Sequence, residues 1–191
     1  MSNSTRQKIL TTTSHLLERQ GYHATGLNQI VKESGTPRGS LYYYFPDGKE
    51  ELATEAVALR MKSMADSLRQ FLSKIGDPIE AIYGMIMEMS RQSAQNQCSA
   101  GAPIAAVALE ASNTSERIRH ACADGYQGLE DVFAAKLVMG GFSADKAKSL
   151  ATTINASIEG AMIVSRTKQD ASILANVAND MKTLMQIALN S

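Results

Sequence analysis

The sequence predicts an all-α protein, with an N-terminal three-helix domain ahead of a larger C-terminal helical bundle. Three observations carry this. From Lys49 to about Ile75 there is no glycine or proline, so one helix of roughly 27 residues, on the order of 40 Å long, fits the stretch. On either side, apolar residues recur at helical spacing between breaks rich in Gly and Pro. The last two segments carry an apolar seam of about 3.5-residue period. A chain of 191 residues can bury a full core, and the boundary is set at Gly48, giving residues 1–48 and 49–191.

The first helix is read over Ser4 to Gln20, with Ile9, Leu10, Thr13, Leu16 and Leu17 as its apolar face and Gly21 as its stop. Two short helices with a tight turn follow. Leu27, Ile30 and Val31 lie on one face of the first. Gly35 supplies the positive φ of the turn, and Thr25 and Thr36 stand where helix caps belong, with Pro37 at a first helical position. In the second short helix Leu41 and Phe45 face inward. Arg38, Gly39, Ser40, Tyr42, Tyr43 and Tyr44 are left outward. Those residue types suit double-stranded DNA. A helix N-terminus attracts phosphate, small residues let the backbone approach a groove, arginine reaches a guanine edge or a phosphate, and tyrosine hydroxyls donate to phosphate oxygens.

These residues carry a resemblance. GYHATGLNQIVKESGTPRGSLYYYF, followed by KEEL at Lys49 to Leu52, resembles the N-terminal signature of the TetR/AcrR family of bacterial repressors. APIAAVALEAS, Ala102 to Ser112, is similar to the LmrA/YxaF-like branch, where a C-P-I-A-type segment is usual. Two departures stand out: Gly26 replaces a common Thr or Ser, and Pro46-Asp47-Gly48 adds one residue before Lys49. The reading is of a homodimer on a palindromic operator, released by a small-molecule inducer, and the resemblance implies a regulated gene such as a multidrug efflux pump. It also implies DNA contacts at Thr25, Thr36, Arg38, Gly39, Ser40, Tyr42, Tyr43, Tyr44 and Lys49.

In the second part, Lys49 to Ile75 is read as the transmission rod. The helix over Ile79 to Gln95 is apolar on nearly every side, as a central bundle helix is. Its methionines suit a cavity that repacks around varied apolar guests. The expected ligand pocket is Met61, Met64, Met85, Met89, Ile104, Tyr126, Phe133 and Met162. A short helix from Pro103 to Ala111 and longer ones over Ser115 to Met139, Ala144 to Lys168 and Ser172 to Leu189 complete the chain. The last two are read as the dimer interface through Ile154, Ile158, Leu174, Val177, Met181 and Leu184. A dimer also suits two half-sites one helical turn apart. The competing reading keeps the DNA-binding head but has the bundle dock a protein.

Composition sets further bounds. Residues 1–50 hold six Lys/Arg against four Asp/Glu, and the remainder thirteen against fifteen, a weakly basic head on a weakly acidic body. Cys98 and Cys122 are too few for a disulfide framework and are read as reduced and buried. MSNSTRQK leads into TTTSH and not into the apolar core of a secretory signal, and the apolar run Ala102 to Leu109 is far short of the ~20 residues that span a bilayer. The expectation is a cytoplasmic chain without membrane partners. His15, His23 and His120 form no metal-binding pair, and no nucleophile elbow, phosphate loop or dinucleotide fingerprint occurs. The reading is therefore of no enzyme, with no catalytic residues, metal or cofactor.

Overall fold

The computed structural model describes residues 2–98, 104–111 and 113–190. Helices are the only regular elements among them: α1 (Ser2–Ala24), α2 (Leu27–Ser34), α3 (Arg38–Tyr44), α4 (Lys49–Leu72), α5 (Pro78–Gln95), α6 (Ala105–Ala111), α7 (Glu116–Met139), α8 (Ala144–Lys168) and α9 (Ser172–Asn190). The all-α fold class holds. The expected start of the sixth helix at Pro103, and part of the 102–112 segment, lie outside the described residues.

The chain divides into two compact units. One comprises residues 1–63 and 103–125, the other 64–102 and 126–191. The division thus falls within α4 and α7, and the first unit includes α6 as well as the expected head.

In the first unit α1 packs against α2, α3 and α6, and α2 against α3. Its core is Ile9, Leu16, Leu17, Ile30, Leu41, Phe45 and Leu52, each at most 1 % exposed. Gly21 breaks α1 with φ 78°, a conformation only glycine adopts freely, so the stop expected there is a kink followed by one more turn. Gly35 ends α2 in the left-handed region, as the turn requires. Arg6 pairs with Glu55, and Arg60 with Glu18 at 3.3 Å, tying α1 to α4.

The cap expectations need correcting. Gly26 is the N-cap of α2 and Pro37 that of α3, neither with a side-chain cap bond. The Thr25 hydroxyl instead donates to the Gly21 carbonyl at 2.7 Å, bracing the kink. Proline lacks the hydroxyl a cap needs, and Thr36 shares a hydrogen bond with Ser34 at 2.7 Å.

In the second unit α9 packs on α5 and α8. Asp77 caps α5 by accepting from the Glu80 amide at 2.8 Å, with Pro78 in the first turn. Ser143 does the same for α8 through the Lys146 amide. Ile79, Ala81, Ile82, Met85 and Ile86 of α5 are buried, and of its first ten residues only Glu80 is exposed. Cys98 and Cys122 are free thiols and buried, and burial pushes the Cys122 thiol up to about 11, so it stays protonated and unreactive at neutral pH.

Candidate nucleic-acid interface

The outward surface of α3 is as the spacing predicts. Leu41 and Phe45 are fully buried, while Arg38, Gly39, Tyr42 and Tyr43 are exposed, Tyr43 at 79 %. The Arg38 guanidinium lies 5.9 Å from the Tyr42 ring centroid. Tyr43 and Tyr44 meet edge to face at 5.0 Å, and Tyr44 and Ser40 are half-buried. Gly39 is informative for a different reason. A Cβ there would meet nothing within 4 Å. Glycine is a poorer helix former than alanine, and no packing within the chain calls for it at this position.

Two of the expected contacts belong to the interior. Thr25 is 1 % exposed and its hydroxyl is bonded to Gly21; Thr36 is 8 % exposed. Neither presents a free hydroxyl to a phosphate. Lys49 is half-buried: its ammonium lies 4.4 Å from the Tyr22 ring centroid and donates to the His23 carbonyl at 3.4 Å. Burial lowers the pKa of Lys49, with the nearby Glu110 carboxylate opposing the shift.

The remaining expected site residues separate by unit. Met61 and Ile104 are buried in the first, at 2 % and 3 %. Met64, Met85, Met89, Tyr126, Phe133 and Met162 fall in the second, Met85 and Phe133 buried and the others half-buried. There the Tyr126 hydroxyl donates to Glu159 Oε1 at 2.6 Å. Burial raises the pKa of Glu159 and this hydrogen bond pulls it back in part. Among the described residues no three His, Cys, Asp or Glu side chains gather as metal ligands would.

The dimer expectation is corrected in its residues. Ile154, Ile158 and Leu174 are 0 %, 7 % and 2 % exposed within one chain, so they are core and have little surface left for a partner. A 3.5-residue seam reports that helices pack together, and here α9 supplies the match to α8 from the same chain. Val177 and Met181 are half-buried and Leu184 is 38 % exposed. The seam did not single out the apolar side chains these helices leave in the open: Ile163, Val164, Ile187 and Leu189.

This helical head, with its short exposed third helix, is the architecture of a helix-turn-helix regulator. Residues 9–56 match the model of the bacterial regulatory proteins of the tetR family, and residues 78–180 that of the LmrA/YxaF-like transcriptional regulator C-terminal domain. The chain is 43 % identical to YxaF of Bacillus subtilis (strain 168), an uncharacterized HTH-type transcriptional regulator, over 95 % of both chains. It is 38 % identical to the HTH-type transcriptional regulator LmrA of the same strain, over 95 % of this chain and 96 % of that one. The reduced form of NemR from E. coli shares the fold at TM-score 0.84 and 22 % identity, covering 94 % of this chain and 96 % of that chain. The chain belongs to the TetR family of transcriptional regulators, in its LmrA/YxaF-like branch. No helix among the described residues is long and apolar enough to cross a membrane.

Proposed function

We propose that this regulator is a repressor that binds a palindromic operator as a homodimer and is released by a small, largely apolar inducer. The carrying observation is the exposed face of α3, where Arg38, Tyr42 and Tyr43 surround a glycine whose smallness serves nothing in the chain. Gly39 lets a phosphate backbone approach α3 closely, Arg38 reads a base edge or a phosphate, and Ser40, Tyr42, Tyr43, Tyr44 and Lys49 position the head on the duplex. Residues 1–48, with Lys49 at the start of α4, do this work, and the rest of 49–191 holds the inducer and the partner copy.

Ala156, Gly160, Ile163, Val164 and Thr167 share one uncharged face of α8, and Leu184 and Ile187 lie outward on α9. These faces pair with their copies in a four-helix bundle. The inducer is held in the second unit by Met64, Met85, Met89, Phe133 and Met162, with Tyr126 as the polar group that orients it. Efflux as the regulated process rests on the family resemblance alone.

The test is a gel-shift on duplexes enriched by this protein from a random-sequence pool, repeated with a panel of lipophilic compounds. An inverted repeat released by some of the compounds is expected. A complex indifferent to all of them favours the alternative, a bundle that docks a protein.

A further inference from the structure

The α1 kink holds an unusual seat. Gly21 has φ 78°, and a Cβ built on it would stand 2.2 Å from Oε1 of Glu110 and 2.9 Å from its Cδ, so that carboxylate occupies the space a side chain would need. Its other oxygen, Oε2, accepts from the backbone amide of His23 at 2.8 Å. Glu110 is on α6 and 87 residues away in sequence from His23. The same turn carries the carbonyl of His23 to which Lys49 donates, and the Tyr22 ring on which the Lys49 ammonium rests. All of these residues belong to the first unit.

More of the 103–125 segment fastens to the head. Ser115 donates to Glu50, and Arg117 pairs with Asp47 at 2.9 Å, both partners lying within two residues of Lys49 in sequence. Arg117 and Asp47 are exposed, so solvent screens that pair and it adds little. The Glu110 contact differs: it is a charge-assisted hydrogen bond to a backbone amide, seated where only glycine leaves room. Helix α6 follows α5 in the chain, and α5 belongs to the second unit.

We infer that Glu110 is a positioning residue for DNA binding, a clasp by which α6 holds the Gly21–His23 turn and, through it, Lys49 in the geometry that engages phosphate. This rests on the proposed DNA-binding function of the head. Without the carboxylate, the His23 amide loses its acceptor, Gly21 is free to move, and the Lys49 ammonium loses the negative charge that favours its protonated form.

The test uses the full-length chain and its Glu110→Ala and Glu110→Gln variants, titrated against a duplex enriched from a random-sequence pool on the unmodified protein. Melting temperature is measured in parallel. Glu110→Ala should bind about tenfold more weakly, equivalent to about 1.4 kcal/mol, with a salt dependence of log K flatter by about 0.9, one phosphate contact. Glu110→Gln keeps an acceptor oxygen and should recover most of the affinity. Partial unfolding would lower apparent affinity without changing that slope. Equal affinity of Glu110→Ala and the unmodified protein would overturn the inference alone, and so would a loss that merely tracks melting temperature and that Gln does not rescue. Failure of the unmodified protein to enrich any duplex would overturn the DNA reading and the clasp together.

Discussion

The ammonium of Lys49 stands 4.4 Å from the centroid of the Tyr22 ring and hydrogen-bonds the neighbouring His23 carbonyl, so the first residue of α4 is fixed to the last turn of α1, past the Gly21 kink. One side chain thus joins the two ends of the helix-turn-helix and stays close enough to solvent to meet a phosphate. Removing it as Lys49→Ala forfeits the cation–π contact, worth about 0.5–1 kcal/mol at a partly exposed site. The melting temperature should fall slightly. Duplex affinity should fall uniformly across sequences, and the salt slope should flatten by about 0.9. Discrimination between sequences, measured by competition titration, should survive.

Neighbouring aromatics of the α3 segment should behave oppositely. Tyr43→Ala removes a side chain 79 % exposed, so unfolding free energy should change by no more than about 0.5 kcal/mol, while the DNA complex is lost. Phe45→Ala empties a fully buried site and should cost about 3–5 kcal/mol in chemical denaturation. Equal stability losses at the two positions would refute the division of α3 into an outward and an inward face.

That division was legible in the sequence, because Leu41 and Phe45 repeat at one helical turn and Gly35 supplies the left-handed turn residue. Both signals are local. The role of Thr25 was not: a hydroxyl beside a helix start reads as a cap, whereas here it bonds back to the Gly21 carbonyl four residues earlier. Ile154, Ile158 and Leu174 show the same boundary, since a seam says that helices pair but not whether the partner belongs to the same chain. Glu110 was visible only as an acid without a motif; its seat depends on a glycine far off in sequence.

Glu159 makes the stability of the second unit pH-dependent. Burial raises its folded-state pKa, the Tyr126 hydrogen bond opposing in part. The folded protein therefore holds a proton there that the unfolded chain has already released. Its contribution to stability is greatest below the ordinary carboxylate range and is lost as pH rises through the raised pKa. Glu159→Gln keeps an acceptor for Tyr126 and removes the titration, so its melting temperature should decline less than that of the parent as pH rises from the ordinary carboxylate range. Tyr126→Phe removes the opposing bond and should move the declining limb to higher pH. Identical pH profiles for all three proteins would exclude this assignment.

At the proposed partner interface, Ile187 is 62 % exposed on α9, and α8 exposes Ile163 at 44 %. Placing an unpaired carboxylate in a face that pairs with its copy costs several kcal/mol. Ile187→Asp should therefore sediment as a monomer at concentrations where the parent is a dimer, with its helix content by circular dichroism preserved. A parent that sediments as a monomer would remove the basis for a palindromic operator.

The most direct measurement is a fluorescence-anisotropy titration of the unmodified chain on the duplex it enriches, against a scrambled duplex of equal length, across a salt series. A pair of chains should bind the enriched duplex, at an inverted repeat with half-site centres roughly 34–36 Å or a multiple apart. Binding should be at least about 10³-fold tighter than to the scramble. Equal affinity for both duplexes at every salt concentration would contradict the account at its base.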